Sequence, residues 1–220
     1  MKRFSRRMWW LPAIAAGSLK GHDVPVVATG NPGEIVFEFI GTINQNGANF
    51  AATGYLTAVA GLPEKVLFAD PVTRSHDSAR FTFAAAATLV SRNVIRPMFV
   101  LDETGVITIS YRETAGGMPV VVASGPVNLQ STVQVIAPFM SAQSPGKGNF
   151  RLTGEFVRTQ TSSFELGGVN YEFGEARIPW LLTASGDGTL TEPNAPISQV
   201  VAAGNAVAGG GAAFSREGRR

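Results

Sequence analysis

The sequence predicts an all-β fold, a single antiparallel β-barrel with a β-sandwich as the alternative and flexible tails at both ends. Three observations carry that reading. From Glu34 onward apolar residues alternate with polar ones, β-branched and aromatic residues are frequent, and turn residues break the runs at short spacing. Hydrophobic residues make up 45% of the chain and charged residues 15%, against a usual charged share of about 25%, which points to a packed core and not to a disordered chain. Glycines stand mid-run at positions 41, 54 and 154, where a strongly coiled sheet needs relief, and this favours closure over a sandwich. A length of 220 residues leaves room for one domain and tails. The expected division is a leader at 1–30, a barrel at 31–187 and a Gly/Ala-rich tail at 188–220.

Each element follows from local pattern. In residues 34–43 the period of two puts Ile35, Phe37, Phe39, Gly41 and Ile43 on one face and Glu34, Val36, Glu38 and Ile40 on the other. Residues 44–49, with Gly47, turn the chain into a strand over 50–60, giving a hairpin. Residues 65–69 read as a short strand and 70–78 as a polar loop. The longest alternating run is 79–94, with Phe81, Phe83, Ala85, Ala87 and Leu89 on one side. Four alanines at 84–87 would suit a helix, but the flanking Phe-Thr-Phe and Thr-Leu-Val favour a pleated surface. A second hairpin is expected from strands at 99–101 and 106–112, with Asp102-Glu103-Thr104-Gly105 as its turn. Shorter strands at 119–123 and 132–139, then 150–160, 163–166, 170–173 and 178–185, complete the set. The order Phe37, Phe39, Gly41 and Phe50 is echoed by Phe150, Leu152, Gly154 and Phe164, with the last gap one residue longer, as two hairpins of one plan would give. Beyond Asp187 a Pro-rich linker and the Gly209-Gly210-Gly211 run place 188–220 outside the core, with 197–208 available to cover a sheet edge.

Composition removes several chemistries. Without cysteine there is no disulfide, thiolate metal site or cysteine nucleophile, and His22 and His76 stand too far apart for a paired-histidine zinc motif. No metal and no cofactor is expected. The net charge of +2 resides in the termini: residues 1–7 carry +4 and 216–220 carry +2, while the body between has 11 basic against 15 acidic side chains, a net of −4. A nucleic-acid partner needs clustered basic residues on the folded face, which this body lacks. The N-terminus, Lys2 to Arg7 followed by an apolar run at 8–19, has the layout of a secretory signal and is too short for a stable membrane span. Its Ser5-Arg6-Arg7-Met8-Trp9-Trp10 segment resembles a twin-arginine export signal, which implies a periplasmic or extracellular protein. The alternative is a cytoplasmic protein with an unstructured basic leader.

Two segments carry a family resemblance. Val66-Leu67-Phe68-Ala69-Asp70-Pro71-Val72-Thr73 is similar to the Asp-Asp-Pro-Leu-Thr segment of dirigent proteins, and Gly146-Lys147-Gly148-Asn149-Phe150-Arg151 to their Gly-Thr-Gly-x-Phe-Arg segment, in the same order. The resemblance implies an eight-stranded barrel shared with allene oxide cyclases, whose members bind hydrophobic intermediates and guide cyclisation or coupling. Asp70 is the one functional residue it carries over, since Ala69 stands in place of the first aspartate.

The residues read independently converge on the same loop. Asp70, Arg74, His76, Asp77 and Arg80 crowd into eleven positions of a charge-poor chain, and loops on a rigid β scaffold commonly carry binding groups. The expected catalytic set is Asp70, His76 and Arg80: His76 beside Asp77 for proton transfer, arginines to hold an anionic or enolate oxygen. Glu38, Tyr55, Arg74, Tyr111 and Arg112 are the expected ligand-binding set, with Glu38 either an exposed strand residue or a buried acid of raised pKa. The sequence thus leads to a small-molecule-binding barrel, with a cofactor-free cyclase or isomerase for a hydrophobic substrate as its catalytic form. An exported, non-catalytic binding or structural β-protein that assembles as a homo-oligomer is the alternative.

Overall fold

The computed structural model describes residues 24–175, 178–191 and 199–210; positions 1–23 of the expected leader at 1–30 and the last ten residues lie outside these. Twelve strands follow in order: β1 Val26–Val27, β2 Ile35–Asn46, β3 Asn49–Val59, β4 Phe81–Ile95, β5 Met98–Tyr111, β6 Val120–Ala137, β7 Gly146–Val157, β8 Gln160–Thr161, β9 Ser163–Leu166, β10 Val169–Phe173, β11 Pro179–Leu190 and β12 Gln199–Ala208. Eight of them form a closed antiparallel barrel in the order β5-β4-β3-β2-β12-β11-β7-β6, closed by β5 against β6, with β8 bonded to β6 outside the ring. A second sheet, β1-β10-β9, covers one end, and in it β1 runs parallel to β10. Closure leaves the barrel strands no free edge for pairing with another chain.

The inward face is the one the period of two marked on β2 and β4. Phe37, Phe39, Gly41 and Ile43 of β2 face Phe81, Phe83, Ala85 and Ala87 of β4 across β3. Outward positions mix Thr42, Thr53, Thr82, Thr108, Thr153 and Thr183 with the exposed Val106, Leu181 and Val201. Among the described residues no helix is long and apolar enough to cross a membrane. Gly41 pairs with Gly54 across β2 and β3, where a Cβ would meet backbone carbonyls of the neighbouring strand and the Phe83 ring. A Cβ on Gly41 would come within 2.8 Å of Phe83 Cζ, and one on Gly54 within 2.5 Å of Phe83 Cε1. Gly47, at φ +59°, makes the β2–β3 turn.

Five expectations are corrected. Residues 102–105 are not a turn: β5 runs unbroken through them, pairing Glu103 with Leu89 on one side and Leu129 on the other. The outward Asp102 holds the strand there, its oxygens accepting hydrogen bonds from Ser91 Oγ (2.5 Å) and Gln130 Nε2 (3.0 Å), and the chain reverses instead at residues 96–97. Likewise 119–123 and 132–139 are parts of one strand, β6. Pro126 is tolerated because it lies between the stretch of β6 paired with β8 and the stretch paired with β7, where that side of the ladder lapses. Residues 65–69 form a 3-10 turn, Glu64–Val66, and a single bridge from Phe68 to Ala79. The barrel does not end at 187, since β12 is a full barrel strand between β2 and β11. Its Ala and Gly content suits a crowded wall where Ala202, Ala206 and Ala208 are buried. The order echoed at Phe150 and Phe164 does not mark a second barrel hairpin, because Phe164 belongs to the covering sheet.

Candidate ligand-binding site

The two ends of the barrel are filled differently. At the end covered by β1, β9 and β10, Trp180 lies 5.1 Å from Phe37, 5.5 Å from Phe156 and 5.9 Å from Phe173, and Phe81 packs on Phe164 at 5.4 Å. All are buried. Arg158 lies over the Trp180 ring at 5.3 Å and donates from Nη1 to the Phe173 carbonyl. Burial pulls its pKa down to about 10, with Glu175 and Glu172 opposing.

Beyond this plug the lumen opens. Phe39, Phe83, Ala85, Ile107, Leu129 and Leu152 point inward yet are only half-buried, because they line a chamber of about 80 Å³. A second chamber of about 50 Å³ adjoins it towards the end that the described residues leave uncovered and shares Ile43, Ala52, Ala85, Leu129 and Leu152. The small residues of β3 and β4 make this space: Ala52, Ala85 and Ala87 stand where larger side chains would fill the bore. The uncovered end is lined by Phe50, Phe99 and Phe139, all half-buried.

One acid faces this apolar space. Glu103, on the inward side of β5, is 4% exposed and borders the smaller chamber with Ser131 of β6. Ser131 Oγ donates to Glu103 Oε2 at 3.2 Å, while Oε1 is buried without a hydrogen-bond partner. Burial pushes the Glu103 pKa up to about 7; the Ser131 bond opposes this and the neighbouring Asp102 charge adds to it. A carboxyl held near neutrality in an apolar pocket can donate a hydrogen bond or exchange a proton at ordinary pH.

The residues singled out in the sequence lie elsewhere. Asp70 sits on an exposed loop at the covered end, accepting from the Val72 amide at 2.9 Å, and this bond, with those from Thr73, holds its pKa down. His76 is exposed, its ring edge-on to Tyr55 at 6.4 Å and its Nδ1 3.8 Å from Asp77 Oδ1. Arg74 pairs with Glu64 and lies over Phe68 at 5.8 Å. Arg112 clamps the loop to the barrel rim, donating from Nε to the Ala79 carbonyl at 2.8 Å and from Nη2 to those of Asp77 (3.1 Å) and His76. Tyr55 is on the outer wall against Phe68 at 6.0 Å, and Glu38 is an exposed residue of the outer face. Tyr111 alone of the set faces inward, but within the plug, 4.7 Å from Phe164. Burial raises its pKa, and the Arg80 cation beside it pulls the other way. The structure therefore gathers Asp70, Arg74, His76, Arg80, Tyr55 and Arg112 around one loop, and it places none of them on the chambers. Among the described residues no group of three or more His, Asp or Glu is placed to hold a metal ion.

Compared with family models, curated proteins and solved structures, the chain gives no match.

Proposed function

We propose that the barrel binds a small, mainly apolar molecule in its lumen, with Glu103 as the polar anchor. The observation that carries this is an apolar chamber whose inward side chains remain half-exposed, bordered by one buried acid with an unused oxygen. Size limits the ligand. Either chamber is smaller than the ~150 Å³ engineered cavity that admits benzene, and the two joined come close to it, so a single ring or a short branched chain is the fit. A cofactor-free cyclase or isomerase is the catalytic form of this reading, confinement holding the substrate in its reactive shape. The dirigent-like segments suggest Asp70 as the functional acid; the present reading gives that role to Glu103, because Asp70 is exposed and away from the chambers. Export through the twin-arginine-like leader remains part of the proposal.

Titration with toluene, followed by methyl NMR, tests it. Shifts should concentrate on Ile43, Ile107, Leu129 and Leu152 and vanish in the cavity-filling double variant Ala85→Leu/Ala184→Leu; shifts confined to surface methyls would overturn the reading. A second reading, a non-catalytic assembling protein, is favoured by one observation. Val94, Ile95, Ile136 and Met140 are exposed at 47, 79, 63 and 74% around the uncovered end, and apolar clusters of this kind mark contact surfaces. Light scattering across a concentration series reads it directly.

A further inference from the structure

Glu103 Oε2 is occupied by the Ser131 hydroxyl, and Oε1 is left without a partner in a wall of alkyl and phenyl groups. The side chains that β2, β3, β4, β6 and β7 turn towards it are apolar apart from Ser131. The one charge acting on it is Asp102, which adjoins it on β5 and faces outward. Among the described residues no cation forms an ion pair with it: Arg92, which shares the inward face of β4 nearer the barrel end, lies over the Phe99 ring at 4.9 Å, and leaving an ionised carboxyl in such surroundings costs more than keeping it protonated. With Ser131 donating to Oε2, the proton belongs on Oε1, which is buried in the wall of the smaller chamber.

Resting on the lumen-binding reading, we infer that the protonated Glu103 carboxyl is a hydrogen-bond donor that selects, among small apolar molecules, those carrying one acceptor oxygen, such as a ketone, aldehyde, ether or alcohol. An amine would enter as a cation and form an ion pair in a lumen with nothing else to solvate it, which is the costlier arrangement. A pure hydrocarbon would fill the chambers but leave the donor unpaired. Binding is accordingly linked to a proton on Glu103 and weakens as that proton leaves.

The test uses the full chain and three probes of one shape: cyclohexanone, methylenecyclohexane and cyclohexylamine, titrated at pH 5.5 and pH 9. At pH 5.5 the ketone should bind about tenfold more tightly than the hydrocarbon, the factor one neutral hydrogen bond supplies. At pH 9 that preference should fall to about threefold or less by the same hydrogen-bond accounting. Glu103→Gln, whose amide also donates, should keep the preference at both pH values, and Glu103→Leu should abolish it. Equal binding of ketone and hydrocarbon to the unaltered protein at pH 5.5, or preferred binding of the amine, overturns this inference and leaves lumen binding standing. Failure of all three probes to bind overturns the lumen-binding reading and this inference together.

Discussion

The covered and uncovered ends of the barrel are built from the same eight strands but solve opposite problems. At the covered end Trp180, Phe156, Phe81 and Phe173 interlock edge to face, with ring centroids 5.1–5.9 Å from their neighbours, and a three-stranded sheet seals them. Towards the other end Ala52, Ala85 and Ala87 stand at inward positions of β3 and β4, Phe50, Phe99 and Phe139 are half-buried against a second cluster of buried Leu101, Val133, Phe150, Leu190 and Val200, and an acid with an unpaired oxygen is tolerated. Packing that maximises stability leaves no room for a guest, and here the vacant volume lies between the aromatic plug and the second buried cluster.

The sharpest way to break that contrast is at the plug. Trp180→Ala removes the ring shared by Phe37, Phe156 and Phe173 and should cost about 3–5 kcal/mol in urea unfolding, the usual range for a large aromatic lost from a core. The double variant Ala85→Leu/Ala184→Leu, placed in the chamber wall, should cost far less, because its added methylenes occupy existing space. Comparable losses from both would mean that the lumen is packed as tightly as the plug.

Glu103 gives the next effect, and its sign is fixed by the direction of the shift. Its folded-state pKa, about 7, lies above the ordinary 4.5, so between these values the folded chain holds a proton that the unfolded chain has released. The stabilisation is complete below pH 4.5 and is lost as pH rises through about 7. It amounts to at most about 3 kcal/mol over the window. Unfolding free energies at pH 4, 5.5, 7 and 8.5 should fall along that course and then level off, and Glu103→Gln should remove this component. A stability that rises across the same window in the unaltered protein, but not in the variant, would place a partnered carboxylate in the lumen.

The barrel was legible because period-two alternation survives wherever apolar and polar residues contrast. Phe81, Phe83, Ala85 and Ala87 line the lumen as their spacing requires. The site was hidden by the same kind of signal. Asp102-Glu103-Thr104-Gly105 has turn chemistry, yet Leu101, Glu103, Gly105, Ile107 and Ile109 share one face at strict alternation, and that pattern, followed through the polar residues, would have shown an acid among inward apolar positions. β12 was unreadable for another reason: Ala, Gly and Val give too little polarity contrast for a period to appear. The charged loop at 70–80 was recognisable as a cluster, but spacing alone carries no information on which wall of a barrel a loop packs against.

Arg112 makes that loop a structural attachment, and the next expected effect is local. Arg112→Ala removes three hydrogen bonds to loop carbonyls; with its side chain partly exposed, the loss should be about 1 kcal/mol, discounted for solvent. Limited proteolysis should show faster cleavage within 70–78 while the chamber methyls keep their chemical shifts.

Asp70→Asn should do least of all, and it separates the two candidate acids most cleanly. The Asp70 carboxylate is fully exposed and its visible work is local, accepting backbone and Thr73 hydrogen bonds within a turn. An asparagine oxygen can accept the same Val72 amide bond, so the unfolding midpoint and the affinity for cyclohexanone should both match the unaltered protein. The barrel wall separates this loop from the chambers, and exposed charges act weakly across such a path in salt. A loss of ketone binding in Asp70→Asn with the fold intact would move the functional acid from the lumen to the rim, and the half-filled bore would then be a by-product of closure instead of a binding site.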